Sequence, residues 1–187
     1  MKKKICIVTE GFPLIAGSEP YLAAEIELLK EDFDIDWIID LNGKKPVEFE
    51  NGEKQFSRTN GLRYKVESLF SRIFWNETIS ECKRSGSLSF TKLRVAIDYL
   101  AYAKEFANFV KSSESKYSAY YTYWVTPKTL ALSMLKVPIV TRAHAFDVYF
   151  ERHPKNYLPY RPFIFSNVKQ TSFISEQGLN YSVNKGF

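Results

Sequence analysis

The sequence predicts an α/β domain of three layers, with a mostly parallel sheet between helices. Three observations predict it. Short β-rich runs alternate with helical periodicities along all 187 residues. The first three elements make a strand–helix–strand unit, whose usual setting is a parallel sheet covered by helices. The chain is 45% hydrophobic, with 15 Phe, 12 Tyr and 3 Trp, which suits one packed core and excludes a disordered chain. A single domain over 1–187 is expected.

Taken in order, "KKICIVTE" (3–10) is a strand bounded by Gly11 and Pro13. Leu22, Ala23, Ile26 and Leu29 fall at helical spacing over 18–30, with Ser18 as N-cap and Glu19 and Pro20 in the first turn. "FDIDWIID" (33–40) is the second strand. Residues 42–61 hold three Asn-Gly pairs and read as a loop, or as a loop with a short edge hairpin around Asn51–Gly52. Leu69, Ile73 and Phe74 set a helical face over 64–84, and "SGS" (85–87) breaks it. Leu93, Ile97, Leu100, Ala101, Phe106 and Val110 trace the longest helix, 88–111. A strand follows at 117–125, then Pro127 opens the helix of "KTLALSML". Strand 136–143, helix 160–168, strand 169–175 and a helix from 176 complete the order, giving five strands.

The start "MKKKICIVTEG" is basic and then apolar, but the apolar run ends at Glu10, so it reads as the first strand rather than a leader. No stretch approaches the roughly 20 apolar residues of a spanning helix. Two isolated cysteines, Cys6 and Cys82, form neither a CxxC pair nor a metal cluster and fit a cytoplasmic protein. Charge is uneven. Residues 1–60 carry 8 Lys/Arg against 12 Asp/Glu, and residues 61–187 carry 18 against 9. The basic remainder fits either an anionic partner or a solvated surface. Nucleic acid is not the expected partner, because there is no lysine-rich stripe, zinc finger or single-strand-binding module.

In an open parallel sheet, ligands bind past the carboxyl ends of strands. Four corners collect there: "EGFPLIAGSE" (10–19), "YWVTP" (123–127), "RAHAFDVYFER" (142–152) and "SEQG" (175–178). Gly17 and Ser18 before a helix offer backbone amides to a phosphate, or simply make a tight turn. The loop is neither GxGxxG nor a GxxxxGK[ST] P-loop, which removes the main support for a dinucleotide enzyme or an ATPase. His144 and Asp147, three apart, read either as a working pair or as a core-edge histidine beside a helix-terminal aspartate. Arg142, Arg152 and His153 add positive charge. His144 and His153 have no zinc spacing, so no metal is expected. Ser175 lies outside any G-x-S-x-G context, against a serine hydrolase.

At these corners the chain resembles the N-terminal domain of bacterial GT-B-fold glycosyltransferases of family 4, closest to members that build capsular, exopolysaccharide or lipopolysaccharide chains. "EGFPLIAGSEPYLAAEIELLK" (10–30) is similar to the family's opening signature, "VTRAHAFDVYFER" (140–152) to its histidine corner, and 156–187 to the stretch ending in Ser-Glu-x-Gly and a helix. The resemblance implies a Rossmann-like domain, the N-terminal half of a GT-B fold. It implies a retaining transfer of sugar from a nucleotide diphosphate-sugar to a growing cell-surface glycan, with no other cofactor.

By the same resemblance His144 and Asp147 are the catalytic-side pair. Gly17, Ser18 and Arg142 lie on the donor-phosphate side, and Phe12, Glu19, Tyr123, Trp124, Ser175 and Glu176 on the acceptor side. Ala16 stands where many members have a second glycine. The C-terminal nucleotide-sugar-binding domain, with its E-x7-E motif, is not found in these residues, so the chain alone is expected to be inactive. Expected partners are the nucleotide-sugar, a glycan or lipid-linked glycan acceptor, and the missing domain, with peripheral contact at the inner face of the cytoplasmic membrane. Phe70, Arg72, Phe74, Trp75, Lys83 and Arg84 are candidates for that contact, or core. The alternative function is a non-catalytic glycan- or nucleotide-binding domain.

Overall fold

The run Ile5–Thr9 is buried at every position, on both faces, as the central strand of a parallel sheet must be. A computed structural model describes residues 2–14, 19, 21–40, 53–113 and 116–186. Six strands form one sheet: β1 (Lys3–Thr9), β2 (Phe33–Asp40), β3 (Glu53–Phe56), β4 (Ala119–Thr122), β5 (Ile139–Ala143) and β6 (Gln170–Phe173). Their order is β3-β2-β1-β4-β5-β6 and every pairing is parallel. This is a Rossmann-like three-layer α/β domain. The order reverses between β1 and β4, which puts the switch point of the sheet, the usual ligand position in such folds, at their carboxyl ends.

The described helices are α1 (Leu22–Asp32), α2 (Gly61–Leu69), α3 (Arg72–Ser85), α4 (Phe90–Ser112), α5 (Pro127–Leu135), α6 (Ala145–Val148), α7 (Arg161–Asn167) and α8 (Glu176–Asn184). On one face, Cys6, Val8 and Ile38 from the sheet pack with Leu100, Phe106, Leu130 and Ile164 in the main core. On the other face, Ile5 and Ile7 meet Leu22 and Ile26 of α1 in a smaller cluster. Leu100 is fully buried. Truncating such a leucine to alanine costs about 2–5 kcal/mol through lost transfer energy and the cavity left behind.

Several expectations need correction. The first helix begins at Leu22 with Tyr21 as its N-cap, not at Ser18. Ser18 and Pro20 lie outside the described residues, and Glu19 sits before the helix at φ 50° rather than in its first turn. The reason is the Glu19 carboxylate, which accepts from backbone N–H groups of the β1 corner and so is drawn away from the helix axis. Residues 53–56 form a strand parallel to β2, where a loop or hairpin was expected; the hairpin turn at Asn51–Gly52 and the residues before it lie outside the described residues. The 64–84 helix is two helices broken at Phe70–Ser71, where Ser71 N–H bonds Ser68 O and Trp75 Nε1–H bonds Leu69 O, turning the chain. Gly86 ends α3 at φ 68°, the left-handed C-cap conformation that glycine accepts without strain. With six strands the sheet has one more than expected.

Candidate functional site

Tyr123 and Trp124 leave β4 at the switch point, and His144 leaves β5 beside them. Their rings form one cluster: His144 lies 4.0 Å from Trp124 and 4.8 Å from Tyr123, centroid to centroid. His144 Nε2 is 3.1 Å from Tyr123 O, so the proton of that bond is on Nε2. Burial lowers the imidazole pKa below its usual 6.5, and the nearby Arg142 charge acts in the same direction, so the ring is neutral near pH 7.

His144 is the N-cap of α6 and Asp147 its third residue, the reciprocal spacing of a capping box. Asp147 Oδ2 accepts from His144 N–H at 3.0 Å, and the carboxylate also takes the Val125 N–H. Asp147 therefore joins the β4 and β5 corners through their backbones. The bonds of its carboxylate go to backbone amides, and that of the imidazole Nε2 to the Tyr123 carbonyl. Burial pushes the Asp147 carboxyl pKa up to about 6, against the opposing influence of Arg161. Arg161 Nε–H donates to Asp147 O at 2.8 Å, and its Nη1 donates to Tyr99 Oη at 2.9 Å.

Of the other expected site residues, Arg142 extends over the Tyr123 ring and pairs with Glu25 of α1. Tyr121 Oη donates to the same Glu25 carboxylate at 2.9 Å. Glu19 accepts from Glu10 N–H and Phe12 N–H, both at 3.0 Å, and its pKa is raised by burial. It shapes the β1 corner, whose Phe12 packs on Trp37. Ser175 caps α8, with Gly178 N–H on its Oγ at 3.1 Å, and Glu176 is exposed. Neither bonds His144 among the described residues. His153 sits under Phe146, with Nε2 2.6 Å from Phe146 O, away from His144. Ala16, Gly17 and Ser18 lie outside the described residues. The structure thus gathers Tyr123, Trp124, His144, Asp147 and Arg142, and places Glu19 and Phe12 on the adjoining corner.

A second polar cluster at this edge escaped the sequence reading. Lys128, in the first turn of α5, is 3% exposed, and its Nζ bonds Asp40 at 2.9 Å and Glu10 at 3.0 Å. Tyr102 Oη also donates to Asp40. A lysine directly after the "TP" helix start opposes the helix dipole and calls for carboxylate partners, which was the available signal. The volume beside it, between Val8, Thr122, Trp124 and Thr126, has no room for a water molecule (0 Å³). A groove of about 530 Å³ lies elsewhere, along the sheet face between α1 and β4–β6, with Arg142 and Glu25 in its lining. Its floor is sheet that no described helix covers, which makes it a packing surface more than a reaction cleft.

The fold and these corners define a Rossmann-like domain with an aromatic–histidine corner at its switch point. No family model matches the chain, and no curated protein matches its sequence.

Proposed function

We propose that the chain is the acceptor-side domain of a retaining glycosyltransferase, moving sugar from a nucleotide diphosphate-sugar to a growing cell-surface glycan at the cytoplasmic side of a membrane. The observation that supports it best is the half-buried Trp124 and His144 at the carboxyl edge, stacked together and backed by the buried Tyr123. Sugars present apolar C–H faces to aromatic rings and hydroxyls to fixed polar groups, and this corner has both. A neutral imidazole there acts as hydrogen-bond partner to a hydroxyl rather than as a cation for the diphosphate. The charge developing on the leaving diphosphate needs amides or cations. Arg142 is already paired with Glu25, so that demand falls on residues 16–18 and on a second domain.

Backbone amide spectra of the purified chain, titrated with nucleotide diphosphate-sugars and with oligosaccharides, test the reading. Shifts clustered at residues 123–125 and 143–147 are expected with one or both ligand classes. Absence of such shifts at millimolar ligand would end it. A non-catalytic glycan- or nucleotide-binding domain is the second reading. One observation favours it: Nε2 of His144 and the Asp147 carboxylate are both engaged in holding the corners together. Binding without transfer in the protein supplied with its donor-binding domain would select it.

A further inference from the structure

Glu10 is the first residue past β1, and it reaches Trp124 from the β1 side as His144 does from the β5 side. In the β1–β4 register Val8 lies opposite Thr122, so two residues further on Glu10 comes level with Trp124. Both border the tight space beside Lys128. Glu10 Oε1 accepts from Lys128 Nζ at 3.0 Å. Oε2 has no donor among the described residues, and the side chain is 39% exposed. On the other side of Trp124 the His144 ring stacks at 4.0 Å, with 31° between the planes. A half-buried indole is thus flanked by a carboxylate and a neutral imidazole. A carboxylate oxygen accepts a hydroxyl proton strongly, and it repels a second anion.

The surrounding charges leave nothing to offset that repulsion. Among the described residues, the cations of the corner are engaged. Arg142 pairs with Glu25, and Lys128 pairs with Asp40 and Glu10. Arg161 is buried on Asp147 O and Tyr99 Oη. Glu10, Glu25 and Asp40 already balance these three cations. Burial holds Glu19 and Asp147 toward the neutral acid, and any ionised fraction of them makes the corner negative. Residues 15–18 carry no ionisable side chain, and 41–52 carry two lysines and two glutamates. An anionic group brought to Trp124 therefore meets Glu10 with no spare counter-charge, a juxtaposition that costs binding energy.

We propose that the acceptor sugar held at this corner is uncharged and that Glu10 selects it, with Oε2 accepting a ring hydroxyl while a C–H face of the ring lies on Trp124. The inference rests on the reading of this corner as an acceptor site. It makes Glu10 a specificity-determining residue. A uronic acid or a phosphorylated sugar of the same shape is rejected by charge.

Matched ligands test it. The full chain, labelled with nitrogen-15, is titrated with the methyl glycosides of glucose, galactose and mannose. It is titrated in parallel with the corresponding methyl uronides at equal ionic strength. The Trp124 indole and backbone N–H signals are followed. At least one neutral glycoside should move them. Its uronide should bind at least about 5-fold more weakly, the cost of two unit charges about 4 Å apart even at the dielectric constant of water. Glu10→Gln keeps the shape and removes the charge, so this preference should fall below about 2-fold. Glu10→Ala should weaken the neutral glycoside about 5-fold or more, through loss of a charge-assisted hydrogen bond. A loosened fold would weaken both ligands together, so the ratio of the two affinities reads recognition. Uronides that bind as well as their neutral partners overturn the proposal and leave the acceptor site standing. An unchanged preference in Glu10→Gln overturns the role of Glu10. No Trp124 shift with any of the six ligands overturns the proposal together with the reading beneath it.

Discussion

Two corners of the same sheet edge bury carboxylates and handle them in opposite ways. At the Lys128 corner, Asp40 is kept with a buried ammonium and a tyrosine hydroxyl, so the charge is matched in place. At the His144 corner, Asp147 is held by backbone amides, and burial drives it toward the neutral acid, with a pKa of about 6. The difference lies in partners. A lysine ammonium sits directly on Asp40, whereas the Arg161 guanidinium bonds the Asp147 carbonyl and the Tyr99 hydroxyl instead of its carboxylate. The first corner is a lock between β2, the β1 loop and α5. The second is a titratable joint between β4 and β5, next to the half-buried rings of Trp124 and His144.

The sharpest way to break this comparison is Lys128→Met. Removing the ammonium leaves Asp40 buried without its counter-charge and should destabilise the domain by about 3 kcal/mol in urea unfolding. Glu10 is 39% exposed on its side chain and adds little to that loss. Asp40→Asn in the same chain should recover part of it. Full additivity of the two substitutions would show that no lock exists.

Asp147→Asn sharpens the other side. The folded pKa lies above the ordinary 3.8, so the contribution of Asp147 is present below pH 3.8 and lost as pH rises through about 6. Asparagine has no such loss. The stability difference should therefore shift in favour of Asn across that window, by at most about 3 kcal/mol, and stay flat above it. His144 is common to both proteins and cancels. A difference independent of pH would mean that the Asp147 pKa is the same in the folded and unfolded chain.

The smallest effect is expected from His144→Ala, about 1 kcal/mol from lost ring contacts, because the backbone bonds of the corner persist. Its expected mark is a changed Trp124 emission and, under the proposed function, loss of ligand-induced amide shifts at residues 123–125. A stability loss as large as that of Lys128→Met would make both corners structural locks.

Local pattern carried most of the fold. β1, β2, α4 and α5 lie within a few residues of their predicted bounds, because apolar periodicity, Thr126 and Pro127 act over short spans. Thr126 does cap α5, with Thr129 completing the reciprocal pair. The break at Phe70–Ser71 was hidden because the apolar spacing continues through it. The turn depends on Trp75 reaching back to Leu69 O. Of the site, His144, Asp147, Tyr123 and Trp124 were legible from their position past strand ends, while the bonds among them were not. Lys128 was overlooked because its partners are 88 and 118 residues away.

By itself, then, the sequence determined an alternating α/β chain with a parallel sheet and the corners at its carboxyl edge, since strand and helix periods and turn residues are local quantities. Only the tertiary structure decided that Asp147 holds amides rather than the imidazole, that Lys128 joins β2 to α5, and that Phe74 is core while Phe70 and Phe90 face outward. Those outcomes depend on which elements meet across the fold. Burial then sets the protonation and exposure of each side chain, and neither is written in its neighbours along the chain.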